Sequence, residues 1–111
     1  MQKIDSLLER KLMCQMTTLK LSINKKAFDV MVTGEKCEEF RDESKWILSR
    51  LKKSYDYIQF TNGYGNERPV FIAEYMGHTV ANVDKVYSNG LVVKGEKIVL
   101  RFGKIIEKRN V

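Results

Sequence analysis

Gly34-Glu35-Lys36-Cys37-Glu38-Glu39-Phe40-Arg41 is the stretch on which the reading of this chain turns. Seven of the ten residues from Gly34 to Glu43 are charged, and strong apolar segments flank them on both sides. Gly34 has the position of a residue just past a helix end, where a left-handed backbone is wanted and glycine adopts it without a Cβ penalty. Lys36 then falls on the exit turn. Cys37 to Arg41 is too short and has the wrong period for a helix, so its alternation reads as a strand. On that strand Glu39 and Arg41 share one face, roughly 6.6 Å apart along the chain. An acid and a base therefore point the same way, just after a lysine on a turn.

Working back from this stretch, Asn24 can cap a helix over Lys25 to Thr33 whose buried face is Ala27, Phe28, Met31 and Val32. Before it, Leu19, Leu21 and Ile23 alternate with Lys20 and Ser22 as a half-buried first strand should. Earlier still, Ile4, Leu7, Leu8 and Leu12 recur at helical spacing, which predicts an amphipathic helix over residues 5–16. Such a helix has to dock, either as a cover on its own domain or against a second chain as a homodimer contact. Residues 1–18 thus form an N-terminal extension, and residues 19–111 the domain.

Working forward, Ser44 can cap a second helix to about Lys53 with Ile47, Leu48 and Leu51 inward. Trp46 near its start reads as an amphipathic core anchor or as a base-stacking ring. From Tyr55 to Thr61, Asp56, Ile58 and Phe60 take one face of a strand. Asn62-Gly63-Tyr64-Gly65-Asn66 reads as a turn-rich loop that presents the ring of Tyr64. Pro69 opens a strand from Val70 to Met76 that carries Glu74. Residues 79–96 read as polar and loop-like around Ser88-Asn89-Gly90, with Leu91-Val92-Val93 as a short strand. Ile98, Leu100 and Phe102 form a closing strand with a basic tail.

A chain of 111 residues at 43% hydrophobic makes one domain with a single core. Its net charge of +6 favours an anionic partner. Charge is also segregated. Residues 35–43 are net −3, whereas residues 45–53 and 94–111 are each net +4, so an acidic strand lies between basic flanks. Two cysteines and one histidine do not supply a four-ligand structural zinc site, and no metal or cofactor is expected. The unbridged cysteines suit a reducing compartment. Met1 to Arg10 lacks the apolar core of a signal peptide and no later run approaches the length of a membrane span, so the expected location is the cytoplasm.

The spacing Gly-x-Lys-x-x-Glu-x-Arg, filled by Gly34, Lys36, Glu39 and Arg41, resembles the signature of the ASCH domain, a branch of the PUA-like β-barrels. The order of elements around it is similar to the small stand-alone ASCH proteins of bacteria and phages, and the resemblance covers residues 19–107. It implies an α+β fold, a small mixed barrel of five or six strands with two or three helices. It also implies that the motif lines a ligand cleft for RNA or a modified nucleotide. In that cleft Arg41 would grip a phosphate or base edge, Lys36 would supply a point charge and Glu39 would accept from an amine or ribose hydroxyl. Asn62 and Tyr64 would add polar and stacking contacts.

One branch of the family is an amidohydrolase that removes acetyl from N4-acetylcytidine with a lysine, a threonine and a distant glutamate. Here Lys36 matches, Glu39 stands where that branch has threonine, and Glu74 is the carboxylate available on a later strand. A lysine base needs its pKa pulled down by desolvation or nearby positive charge, and Glu35, Glu38 and Glu39 push it up. The third reading is structural: Lys36, Glu39 and Arg41 as an ion-pair network bracing the barrel mouth. His78, the single histidine, reads as a solvated or core-satisfied side chain, and a Cys37–His78 dyad rests on no spacing rule.

Overall fold

The structure, a computed structural model, describes residues 17–111. The helix expected over residues 5–16 and any dimer contact through it lie outside the described residues. Residues 17–111 form an α+β domain of five strands and two helices in the order β1 (Thr18–Ile23), α1 (Lys25–Val32), β2 (Glu38–Arg41), α2 (Lys45–Arg50), β3 (Tyr57–Asn62), β4 (Val70–Val86) and β5 (Val92–Arg109).

The strands form one mixed sheet in the order β1-β3-β4-β5-β2. β1 runs parallel to β3 with Leu21 opposite Phe60, and every other pairing is antiparallel. The ladder ends at β1 on one side and β2 on the other. What joins these two edges is a side chain: the Arg41 Nη2 on β2 donates to the Ser22 carbonyl on β1 at 2.8 Å.

The core lies on the inner face of this sheet, under α1. Leu19 and Leu21 of β1, Ile58 and Phe60 of β3, Phe71 and Ala73 of β4 and Leu100 and Phe102 of β5 are buried there with Phe28 and Met31 of α1. Four phenylalanine rings fill its centre, Phe71 lying 5.5 Å from Phe28, 5.1 Å from Phe60 and 5.6 Å from Phe102 between centroids, in tilted arrangements that suit the ring quadrupoles. Both helices start on the caps expected of them. The Asn24 side chain accepts from the Ala27 N–H at 2.8 Å, and Ser44 Oγ from the Ile47 N–H at 3.2 Å. Ser44→Ala is therefore expected to cost about 1 kcal/mol, read as a fall of roughly 5 °C in melting temperature.

The largest departure from the sequence reading is the segment 79–96. It is not a polar loop. β4 runs on from Met76 through Gly77 to Val86, turns at Tyr87–Leu91, and returns as a single β5 that unites the separately read strands at Leu91–Val93 and Ile98–Phe102. Register shifts between Ile72 and His78 bend β4, and Gly77 takes φ 93°, a left-handed value, at the last of them. The hairpin tip is pinned across the domain. Ser88 donates through its N–H, at 2.7 Å, and its hydroxyl to the Glu35 carboxylate, and Asn89 Nδ2 donates to the Lys26 carbonyl at 2.7 Å. Among the described residues no helix is long and apolar enough to cross a membrane.

Candidate functional site

The geometry of the charged stretch starts at the end of α1. Gly34 takes φ 88°, the left-handed conformation expected of it, and reverses the chain so that the Lys36 N–H returns to the Val30 carbonyl at 2.9 Å. This fixes the Lys36 backbone against the last turn of α1. β2 then pairs with β5, with Glu39 opposite Leu100 and Arg41 opposite Ile98, so the acid and the base share the inner face of the sheet with the core.

Lys36 is 1% exposed, as deeply buried as Phe28, Phe60 and Phe71 of the core. Its ammonium donates to the Glu38 carbonyl, sits 3.4 Å from Glu39 Oε1, and lies 5.0 Å from the Phe40 ring centroid. Glu39, 6% exposed, is the hub. Its Oε1 accepts from the Phe40 N–H at 3.0 Å as well as from Lys36, and its Oε2 accepts from Arg41 Nε at 2.9 Å. Arg41 donates once to Glu39 and once to Ser22, and of the five N–H groups of a guanidinium three stay available.

These side chains line a cleft of about 510 Å³. One wall is the inner end of β1 and the start of α1, at Ser22 to Asn24 and Ala27. The opposite wall is the end of the hairpin turn and the first part of β5, where Leu91 and Val93 give apolar surface and Lys94 and Lys97 a basic rim. Lys97 pairs with Asp42 at 2.6 Å. Four cations thus face two carboxylates around the opening.

Of the residues singled out in the sequence, Lys36, Glu39 and Arg41 come together in this cleft, whereas Asn62, Tyr64 and Glu74 are not among its lining residues. Asn62 ends β3 on its inward side, 7% exposed, and belongs to the strand where a loop was expected. Its carbonyl accepts from Arg68 Nε at 2.8 Å. Tyr64 is 87% exposed. Glu74 accepts from the Lys104 N–H at 3.0 Å. His78 Nδ1 is paired with the Tyr75 hydroxyl at 3.2 Å and Cys37 Sγ with the Gly34 carbonyl, so no Cys37–His78 dyad is assembled.

The sequence reading had Leu91-Val92-Val93 as a short strand but did not bring it, or Lys94 and Lys97, beside the charged trio. The local signal for the hairpin was Ser88-Asn89-Gly90, a turn between two stretches rich in β-branched residues.

Burial also reverses the sequence argument about Lys36. Desolvation holds its ammonium below the ordinary lysine value of 10.5, outweighing the upward pull of Glu39 and Glu38, while Arg41 adds to the lowering. Between the lowered native value and 10.5 the unfolded chain carries a proton on Lys36 that the native fold has shed, so native stability gains as pH rises through that window. In Lys36→Met, which keeps the length without the charge, this gain is expected to vanish. Urea melts at about pH 7 and about pH 10 should show the wild type improving relative to the variant at the higher pH. An equal difference at both would mean that Lys36 keeps its proton in the fold.

No protein-family model matches the chain, and neither a curated protein nor a solved structure matches it.

Proposed function

We propose that the cleft binds a nucleotide, either as part of RNA or as a free modified nucleotide, as the ASCH resemblance of Gly34, Lys36, Glu39 and Arg41 implies, and that the curled sheet is a PUA-like barrel joined at its mouth by Arg41. The observation that carries this reading is the guanidinium of Arg41. It is oriented by Glu39 and the Ser22 carbonyl, with three N–H donors to spare, in a cleft whose rim adds Lys94 and Lys97. A planar donor fork matches a phosphate or the acceptor edge of a base.

The roles within the trio differ from those the resemblance suggests. Glu39 already accepts three N–H groups, so its part is to aim Arg41 and to neutralise Lys36 rather than to meet the ligand. Leu91 and Val93 supply the apolar surface against which a base can lie. The test is thermal stabilisation of the protein by a panel of nucleosides, nucleotides and short RNAs. A rise in melting temperature with at least one of them supports the reading, and none at millimolar concentration removes it.

One observation favours a second reading, amide hydrolysis on an N4-acetylcytidine-like nucleoside: burial lowers the pKa of Lys36, as a lysine base requires. Against it stands Glu74, which is exposed and engaged by Lys104 outside the cleft. Incubation with N4-acetylcytidine decides this. Release of cytidine that stops in Lys36→Ala supports hydrolysis, and no release at high protein concentration ends it.

A further inference from the structure

A second concave surface lies at the other end of β1, and the cleft chemistry does not use it. Thr17, Thr18, Lys20, Trp46, Arg50 and Lys53 line a groove of about 440 Å³ together with Tyr55. Trp46 is 46% exposed there, unusually open for the largest apolar side chain of the domain, and the Arg50 guanidinium lies 5.1 Å over its ring. α2 presents this surface because only Ile47 of its residues is buried. From Lys45 to Lys53 the exposed positions carry four bases and no acid; two of them, Arg50 and Lys53, line the groove, and Lys20 of β1 adds a third base to its lining. The acid beside it, Asp56, is occupied by the N–H and hydroxyl of Thr17.

The groove and the cleft both border β1. Thr18, Lys20 and Ser22 share the outward face of β1, opposite the buried Leu19, Leu21 and Ile23. Thr18 lines the groove and Ser22 lines the cleft. At about 3.3 Å per residue the two ends are roughly 13 Å apart, a span of a few nucleotides.

We propose that the Trp46–Arg50–Lys53 groove holds single-stranded RNA flanking the nucleotide in the cleft, with bases stacking on Trp46 and phosphates following Lys20, Arg50 and Lys53. For the class of ligand this rests on the nucleotide reading of the cleft. An exposed ring capped by a guanidinium and rimmed by lysines is the combination that unpaired bases and their backbone require, since every base has a face to stack and every linkage a charge. A duplex, whose bases are already stacked, offers the indole nothing. The natural ligand is accordingly a polynucleotide, and a lone nucleotide fills only half of the binding surface.

The experiment titrates the full chain with an eight-nucleotide single-stranded RNA of mixed sequence, with the same RNA as a duplex, and with the four ribonucleoside monophosphates. Trp46 is the sole tryptophan, so its emission reports directly on the groove. The single strand is expected to quench that emission and to bind more tightly than the duplex or any monophosphate. Trp46→Ala should weaken its binding about 5- to 100-fold while Trp46→Phe retains most of it. Lys53→Ala should reduce the slope of log affinity against log salt by about 0.7. An RNA that leaves the emission unmoved, or that binds wild type and Trp46→Ala equally, overturns the inference. Monophosphate binding that depends on Arg41 would then still uphold the cleft. Trp46-dependent RNA binding without any contribution from Arg41 would instead sink the cleft reading and leave the groove standing.

Discussion

Glu39→Gln is expected to lower the stability of the domain by about 3 kcal/mol, the scale for removing one partner of a buried ion pair. The substitution keeps shape and removes the one negative charge that touches both Lys36 and Arg41. Arg41, 25% exposed in its side chain, can turn to solvent for compensation, but Lys36 at 1% cannot. A buried ammonium left with the Glu38 carbonyl and the Phe40 ring has lost its counter-charge. Because its pKa is already lowered, deprotonation limits the loss and makes it smaller at high pH. For a domain of this size the expected fall in melting temperature is on the order of 10–20 °C, measured by circular dichroism. Adding Lys36→Met to Glu39→Gln should recover much of it, because the charge that needed Glu39 is gone. A double variant as unstable as the sum of the two singles would show that the pair is not coupled.

Arg41→Ala is expected to weaken nucleotide binding about 10- to 100-fold, from the loss of charged hydrogen bonds that contribute roughly 1.5–3 kcal/mol. Arg41→Lys should recover little, since a point charge does not reproduce the fork and cannot reach Glu39 and Ser22 together while donating to a ligand. Stability is a separate readout. Loss of the Ser22 contact releases the junction between β1 and β2, so a modest fall in melting temperature accompanies the loss of binding. Calorimetric titration of both variants with whichever nucleotide stabilises the wild type separates the two effects. Unchanged affinity in Arg41→Ala would leave the trio as a brace for the sheet edges and nothing more.

The parts of the fold that the sequence disclosed are those fixed by neighbours along the chain. Gly34 after a helix, Asn24 and Ser44 before one, and the alternation of Leu19, Leu21 and Ile23 are local decisions, and the structure has each as read. So is the shared face of Glu39 and Arg41, which follows from strand geometry alone. The long hairpin was hidden because from Met76 to Val86 only Val83 is buried, which leaves no period-two contrast to detect. That stretch is a strand because β5 pairs with it residue by residue, a long-range fact. With the hairpin went the cleft wall at Leu91, Val93, Lys94 and Lys97, and with it the reason why the charged trio borders a cavity. Asn62 was lost for a smaller reason: the alternation of Ile58 and Phe60 was stopped at Thr61, one residue short of the end of β3. For Lys36, counting the carboxylates nearby gave the wrong direction because burial depth, invisible in the sequence, is the larger influence.

The central claim is that the guanidinium of Arg41 meets a nucleotide inside the cleft between β1 and β5. The most direct measurement is nuclear magnetic resonance of the full chain titrated with ribonucleotides, following the Arg41 side-chain Nε–H resonance and the backbone amides. The account predicts that the Arg41 resonance shifts together with the amides of Val93 and Lys94 across the cleft. Perturbations confined to the loop at Gly63–Glu67, with Arg41 unmoved at saturation, would contradict it.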